Sequence, residues 1–576
     1  MDMVTLTIDG KKVQAPRGST ILEAAKQVGV HIPTLCHHPD LSIKAVCRVC
    51  VVQIEGNRLH QPACAYPVAE GMVVHTNTPA IREARRVIVE LMLSRHPQDC
   101  LMCERNLNCE LQAIAEQLGI RKVRFDHEPR GIPIDESTPS LVRDMDKCIL
   151  CRRCVATCEE VQAATVLFPI NRGADTMIAT AAGNDLVEVA CALCGQCLNV
   201  CPTGAIREKD DTEKVWDALG NPNKHVVVQT APAIRVSISE EMGIPPGEVS
   251  TGKLVAGLRR LGFDRVFDTD FTADLTIIEE GHELLHRLQS GGTLPMITSC
   301  SPGWIKFIEH FYPHLLDHLS TCKSPQQMFG ALAKTYYAEK FGIDPASIYV
   351  VSIMPCTAKK FEAVRPEMND SGFQDVDAVL TTRELGRMFR SAGVDFGDIE
   401  EADYDAPFGI TTGAGAIFGN TGGVMEAALR TVYEVVTGET LEKLNFDSVR
   451  GLEGIKEATV MVGELPVKVA VAHGLGNAKE LLDLINSGKA DYHFIEIMAC
   501  PGGCIGGGGQ PIPTTNEIRE KRIAALYAAD EAMTIRKSHE NPAVKALYDE
   551  FLKEPLGEKS HHLLHTHYEK RSRFKK

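Results

Sequence analysis

The sequence predicts a multidomain α+β and α/β chain in which small cysteine-rich domains precede one large α/β domain and a short helical tail. Three observations carry this prediction. The 576 residues exceed what one core serves and imply roughly three to five domains. Most of the 20 cysteines crowd into the first third of the chain. Beyond them, short apolar stretches run straight into single cysteines (PMITSC, YVVSIMPC and YHFIEIMAC), as buried strands of a sheet would.

Taken in order, residues 1–79 open strand, turn, strand, helix (VTLTID, GKKVQA, TILEAAKQVG), the start of a β-grasp domain. Residues 80–125 and 126–210 are read as two further cysteine-rich units, 211–515 as the large domain and 516–576 as a helical segment. Helical patterns such as PGWIKFIEHFYPHLLDHL and GGVMEAALRTVYEVV alternate with the cysteine-ending strands, so an α/β sheet fold is expected whose strand ends gather the ligands in one crevice.

Apolar residues make up 44% and charged residues 24%, an ordinary globular composition. With 61 basic and 76 acidic side chains the net charge is −15, which argues against a nucleic-acid partner. The N-terminus lacks a secretory pattern, and no apolar run approaches the roughly 20 residues of a membrane span. A cytoplasmic location without a membrane span is expected. There the cysteines stay reduced, so metal or cluster ligation is the better reading than disulfides.

Spacing assigns them. Cys36, Cys47, Cys50 and Cys64, one C-x2-C pair with outlying partners in a mainly β segment, fit a [2Fe–2S] domain; a zinc ribbon would show two such pairs. His96 precedes Cys100, Cys103 and Cys109 and completes a four-ligand set. A Cys3His zinc site is chemically reasonable there, but neighbouring cluster sites favour [4Fe–4S], whose potential an imidazole raises as in Rieske centres. Cys148, Cys151, Cys154, Cys158 and Cys191, Cys194, Cys197, Cys201 each read C-x2-C-x2-C-x3-C, the most specific signal in the chain. In a two-cluster ferredoxin the fourth cysteine serves the other cluster. That pairs Cys148, Cys151, Cys154 and Cys201 on one [4Fe–4S], and Cys158, Cys191, Cys194 and Cys197 on the second.

The remaining cysteines, 300, 322, 356, 500 and 504, stand in three stretches, TSCSPGW (298–304), MPCTAKKFE (354–362) and EIMACPGGCIGGGGQP (496–511), apart from Cys322. Through these stretches the whole chain resembles the [FeFe]-hydrogenases. The resemblance implies an H-cluster, a [4Fe–4S] cubane joined through a cysteine to a two-iron unit with CO, cyanide and a dithiolate. Cys356, Cys500 and Cys504 match cubane ligands, with Cys504 shared between the two parts. Lys359 matches the residue that meets a cyanide. Met354, Met498 and Phe418 match the pocket wall, and Ala231 and Pro232 match backbone contacts to the cluster. The family's proton path falls on Cys300, Glu280, Ser320, Glu283 and Arg287; the two glutamates stand at i,i+3 spacing on one helix face.

One position departs from the family. Its first signature usually carries two adjacent cysteines, a proton carrier followed by a cubane ligand; here Cys300 is followed by Ser301. An alkoxide suits a soft iron–sulfide cubane poorly, so Cys300 is expected to serve as the ligand. Coordination by Ser301 through oxygen, or approach of Cys322, are the alternatives. The glycine-rich TTGAGAIFGNTGG lacks a dinucleotide fingerprint, and the histidines of HHLLHTHYEKRSRFKK are expected to be exposed. The first 210 residues also resemble the large iron–sulfur subunit of respiratory complex I. The resemblances imply reversible H2 oxidation by a catalytic subunit of an NAD(P)-linked electron-bifurcating complex. Its partners would be ferredoxin, a flavoprotein NAD(P)H-oxidising subunit and a small [2Fe–2S] subunit. A monomeric ferredoxin-linked enzyme, an electron-transfer subunit and a sensory or assembly protein are the alternatives.

Overall fold

A computed structural model describes residues 2–441, 443–463 and 465–573. The first domain is a mixed five-stranded sheet in the order Lys11–Pro16, Met3–Ile8, Val73–His75, Val51–Ile54, Gln61–Pro62. Val4, Leu6 and Ile8 alternate inward, as period two demands of a half-buried strand. Helix Ile21–Gln27 covers the sheet; a capping box between Thr20 and Glu23 starts it, and Ile21, Leu22, Ala24 and Ala25 are its buried face.

Helices Pro79–Leu93 and Glu110–Gln117 follow. Their buried Val89, Leu111 and Ile114 share one apolar cluster with Cys36 and Cys47 of the first domain and Cys151 of the third. Three cysteine groups thus border a common apolar layer. In the third domain the two cysteine runs fold alike. Leu150 and Arg152 in the first, and Leu193 and Gly195 in the second, have positive φ, and the amides of Leu150 and Leu193 donate to the sulfurs of Cys148 and Cys191 at 3.4 Å. Left-handed leucines cost energy; here they curl each loop so that backbone N–H groups face its thiols.

Among the described residues the large domain holds two sheets. The first runs Arg265–Asp268, His225–Thr230, Ile348–Ile353, Ala378–Leu380, all parallel. The second runs Met296–Ile297, Phe494–Met498, Leu465–His473, Ile455–Val462, with only the last pair antiparallel. Helix Asp270–Ser290 explains the division. Phe271, Leu275 and Ile278 enter the core of the first sheet, while Ala273, Ile277 and Leu284 enter that of the second. A helix apolar on two sides needs a layer on each. The C-terminal ends of strands from both sheets, Thr230, Ile353, Ile297 and Met498, lead into one space between them.

The C-terminal segment wraps the large domain. Helix Asn516–Ala532 is tied down by fully buried Arg522, whose guanidinium donates to both oxygens of Glu240 at 2.6–2.7 Å. Val544, Leu547, Leu552, Leu563 and Leu564 complete the core of the first sheet; burying each aliphatic side chain contributes about 1.5–3 kcal/mol. Among the described residues no helix is long and apolar enough to cross a membrane.

Candidate active site and cluster ligands

The four thiols of the first domain lie against one another: Cys36 is in hydrogen-bond reach of Cys47 and Cys64, and Cys50 of Cys64. In the second group Cys109 caps helix Glu110–Gln117, and the sulfur of Cys103 packs on Gly204 of the third domain. His96 carries a buried Nδ1 with no hydrogen-bond partner in the protein, and burial holds the ring's pKa below its ordinary value. Cys148, Cys151, Cys154 and Cys201 line one cavity of the third domain. Cys158, Cys191, Cys194 and Cys197 line another.

Cys194 also lines the space between the two sheets, a cavity of about 80 Å³. Its wall includes Ala231, Pro232, Met354, Phe418 and Met498, and Cys300, Ser301, Cys356, Cys500 and Cys504 open onto it. Gly507, at the centre of the strip Gly506–Gly508, is part of its lining. A Cβ at Gly507 would meet the Pro355 carbonyl at 1.9 Å, and one at Gly508 the Cys194 carbonyl at 2.3 Å, so only glycine permits this approach. Gln196 and Asn199 of the third domain bond the carbonyls of Gly506 and Gly507 at 2.9 Å, and Arg383 bonds that of Gly508 at 2.7 Å. These three residues were not singled out in the sequence, because nothing local marks a side chain that reaches across more than a hundred positions.

Lys359 enters the cavity wall from helix Ala358–Ala363. Its ammonium donates to the Cys300 carbonyl at 3.2 Å and to Glu362 Oε2 at 2.8 Å. Ser324 and Gln326 donate to the same carboxylate oxygen at 2.8 and 3.1 Å. Glu362 therefore aims Lys359. Sequence reasoning missed it, although its i,i+3 spacing from Lys359 was the available signal.

Cys300 and Ser301 part company. Burial, with the charges of Glu280, Cys504 and Glu496, pushes the Cys300 thiol well above the ordinary thiol pKa against the pull of Lys359. Ser301 instead accepts the Ala499 amide at 3.2 Å, next to Cys500. Behind Cys300, helix Asp270–Ser290 presents Glu280 and Glu283, both buried. Burial, with the charges of Glu283 and Glu496, pushes Glu280 up to about 8 against a hydrogen bond from Ser320. The Ser320 hydroxyl donates to Glu283 Oε2 at 3.0 Å and so stands between the two carboxyl groups. Arg287 donates to Glu283 Oε1 at 2.6 Å and to the Leu319 carbonyl at 2.6 Å. The acidic pair is thus a buried file running from Cys300 to a half-buried arginine.

Cys322 is fully buried, its sulfur 3.9 Å from Glu283 Oε2; it does not line the cavity. The tail corrects one expectation. His561, His562 and His567 are exposed, but His565 is 4% exposed. Residues 564–566 pair with the segment around Cys322, which seals the ring between Thr321 and Glu279. The last three tail residues lie outside the described ones.

Comparison with known proteins places these features in a family. Residues 224–508 match the iron only hydrogenase large subunit, C-terminal domain, and residues 516–571 the iron hydrogenase small subunit. Residues 1–79 match a 2Fe-2S iron-sulfur cluster binding domain. Residues 85–124 match the NADH-ubiquinone oxidoreductase-G iron-sulfur binding region, and residues 138–207 the ferredoxin-like domain of NADH-quinone oxidoreductase subunit 3. The NADP-reducing hydrogenase subunit HndD of Solidesulfovibrio fructosivorans is 53% identical over 100% of both chains. Iron hydrogenase 1 of Clostridium pasteurianum is 39% identical over 99% of this chain and 100% of that protein. A solved structure of a variant of [FeFe]-hydrogenase HydA1 from Chlamydomonas reinhardtii covers 63% of this chain and 100% of its own, at 47% identity and a TM-score of 0.57. With the three signatures converging on one glycine-walled cavity, the chain belongs to the iron-only hydrogenase family, oxidoreductases that act on H2.

Proposed function

We propose that this chain is the catalytic subunit of an NAD(P)-linked, electron-bifurcating hydrogenase complex. In this reading it carries one [2Fe–2S] cluster, three accessory [4Fe–4S] clusters and an H-cluster. The observation that carries the complex is full-length identity to a relative named as a subunit of an NADP-reducing hydrogenase, together with complex I-like domains over residues 85–207. A flavoprotein NAD(P)H-oxidising subunit and a small [2Fe–2S] subunit are the proposed partners, with ferredoxin as a further electron carrier.

The residues present fit the H-cluster. Cys356, Cys500 and Cys504 offer thiolates, Gly503 and Gly507 bring bare backbone to the cavity, and the apolar wall keeps water out. When bound, the cluster supplies an open metal position for 2H⁺ + 2e⁻ ⇌ H2. Lys359, held by Glu362, offers a fixed cation to a ligand of that cluster. His96 Nδ1, buried and without a partner, is free to ligate an accessory cluster. Cys194 borders both its own cluster site and the cavity, so the donor site nearest the cavity shares its wall.

Protons move along the buried file. A thiol at Cys300 and a carboxyl at Glu280 both hold a proton at neutral pH, so each can give one inward and take one from behind. The Ser320 hydroxyl passes it to Glu283, and Arg287 holds that carboxylate at the outer end. In this reading Cys300, beside Glu280 and Lys359, would carry protons, and Ser301, whose hydroxyl accepts the Ala499 amide next to Cys500, would hold the fourth cubane corner.

The complex is tested by turnover of the purified assembly. NAD(P)H-dependent H2 exchange that needs the partner subunits is the expected result. Full activity of the lone chain with ferredoxin, unaltered by adding NAD(P)H and partners, would show the monomeric enzyme instead.

A further inference from the structure

The segment laid beside the proton file brings a third kind of donor to Glu283. Residues Leu564–Thr566 run antiparallel to Thr321–Lys323, held by Lys323 N to the Leu564 carbonyl and Thr566 N to the Thr321 carbonyl, both 2.7 Å. Ligand atoms of Glu283, Cys322 and His565 consequently lie within 4.8 Å of one another, and all three residues are buried. A carboxylate oxygen, a thiol sulfur and an imidazole nitrogen form a borderline-soft donor set; three such donors and a water make the tetrahedral shell that zinc prefers.

The surroundings are built for the imidazole. Glu279 accepts from Tyr548 at 2.5 Å, from the Leu556 amide at 2.9 Å and from Ser560, and it holds His565 Nε2 at 3.2 Å. Ligation through Nδ1, now bonded to the Thr321 hydroxyl at 2.8 Å, leaves the carboxylate–histidine bond that orients metal-bound imidazoles in general. A divalent cation also balances a thiolate and a carboxylate where Arg287 is the cation paired with Glu283.

We propose that Glu283, Cys322 and His565 bind a zinc(II) ion, and that its binding stops H2 turnover by removing Glu283 from the proton file. Ligation releases the Cys322 thiol proton to solvent. The second half rests on the reading that Glu283 carries protons.

The test uses anaerobic, fully matured protein titrated with Zn²⁺ alone. In the unaltered chain the zinc K-edge spectrum is expected to show a single sulfur at about 2.3 Å among nitrogen and oxygen ligands. Turnover should fall at least about tenfold, as loss of a proton-transfer group demands. Cys322→Ala and His565→Gln, with unchanged iron content and cluster spectra, should keep their turnover without zinc. Both should resist inhibition, and Cys322→Ala should lack the sulfur shell. A sulfur-free or four-sulfur zinc site, or equal inhibition of Cys322→Ala, overturns the proposal. Zinc bound through one sulfur with turnover intact overturns the gating half. Glu283→Gln measured without zinc then assigns the fault: normal turnover in that variant means the proton-file reading failed, and impaired turnover means the ion leaves Glu283 free.

Discussion

Cys300→Ala is expected to keep every cluster and lose H2 turnover by about two to four orders of magnitude, the worth of a positioned proton-transfer group. The thiol faces Glu280 and Lys359, whereas the neighbouring Ser301 hydroxyl lies against the Ala499 amide beside Cys500. On this proposal Cys300 belongs to the proton file and Ser301 to the cubane corner. Ser301→Ala should do the reverse, disturbing the cubane's electron-paramagnetic resonance signal and iron content. Soft iron prefers thiolate, so Ser301→Cys should restore a cubane at least as stable as the natural one. If Cys300→Ala loses the cubane, Cys300 is the ligand and the division of labour proposed here is wrong.

Glu280→Gln is the second large effect. The carboxyl is 3% exposed and pushed up to about 8, chiefly by burial, so at neutral pH it holds a proton that it can release inward. Glutamine fills the same volume and hydrogen-bonds Ser320 but cannot release a proton. Turnover in both directions should fall by about two to four orders of magnitude, with cluster spectra and the KM for the electron carrier unchanged. The same group shapes stability. Its folded pKa is raised, so the stability it contributes is full below about 4.5, the ordinary glutamate value, and is lost as pH rises towards 8. Melting followed by circular dichroism at pH 5 and pH 8 should therefore show Glu280→Gln gaining on the natural chain as pH rises. A variant with natural turnover would remove Glu280 from the proton route.

Much of the site was legible because cluster ligation leaves rigid spacing. Two C-x2-C-x2-C-x3-C runs dictate an exchange of fourth cysteines, and the fold lines its two cavities with those sets. The three cysteine-ending strands were readable from their apolar runs. What the runs hide is which strands pair: helix Asp270–Ser290 is apolar on two sides, and that pattern marks burial without saying that two sheets supply it. Long-range partners were also out of reach. Gln196, Asn199 and Arg383 act on the glycine strip from distant segments, and His565 is buried only because residues 564–566 add to the segment around Cys322. Cys300 and Ser301 show a third limit, since both line the cavity and spacing does not encode which partners each meets there.

The central claim is that the cavity between the two sheets holds a catalytic H-cluster. Infrared spectroscopy of anaerobic protein matured with its two-iron unit tests it most directly, because bound CO and cyanide absorb where protein does not. Both sets of stretching bands are expected, together with H2 turnover by the same sample. Absence of those bands from a chain carrying its full complement of cysteine-bound iron would contradict it.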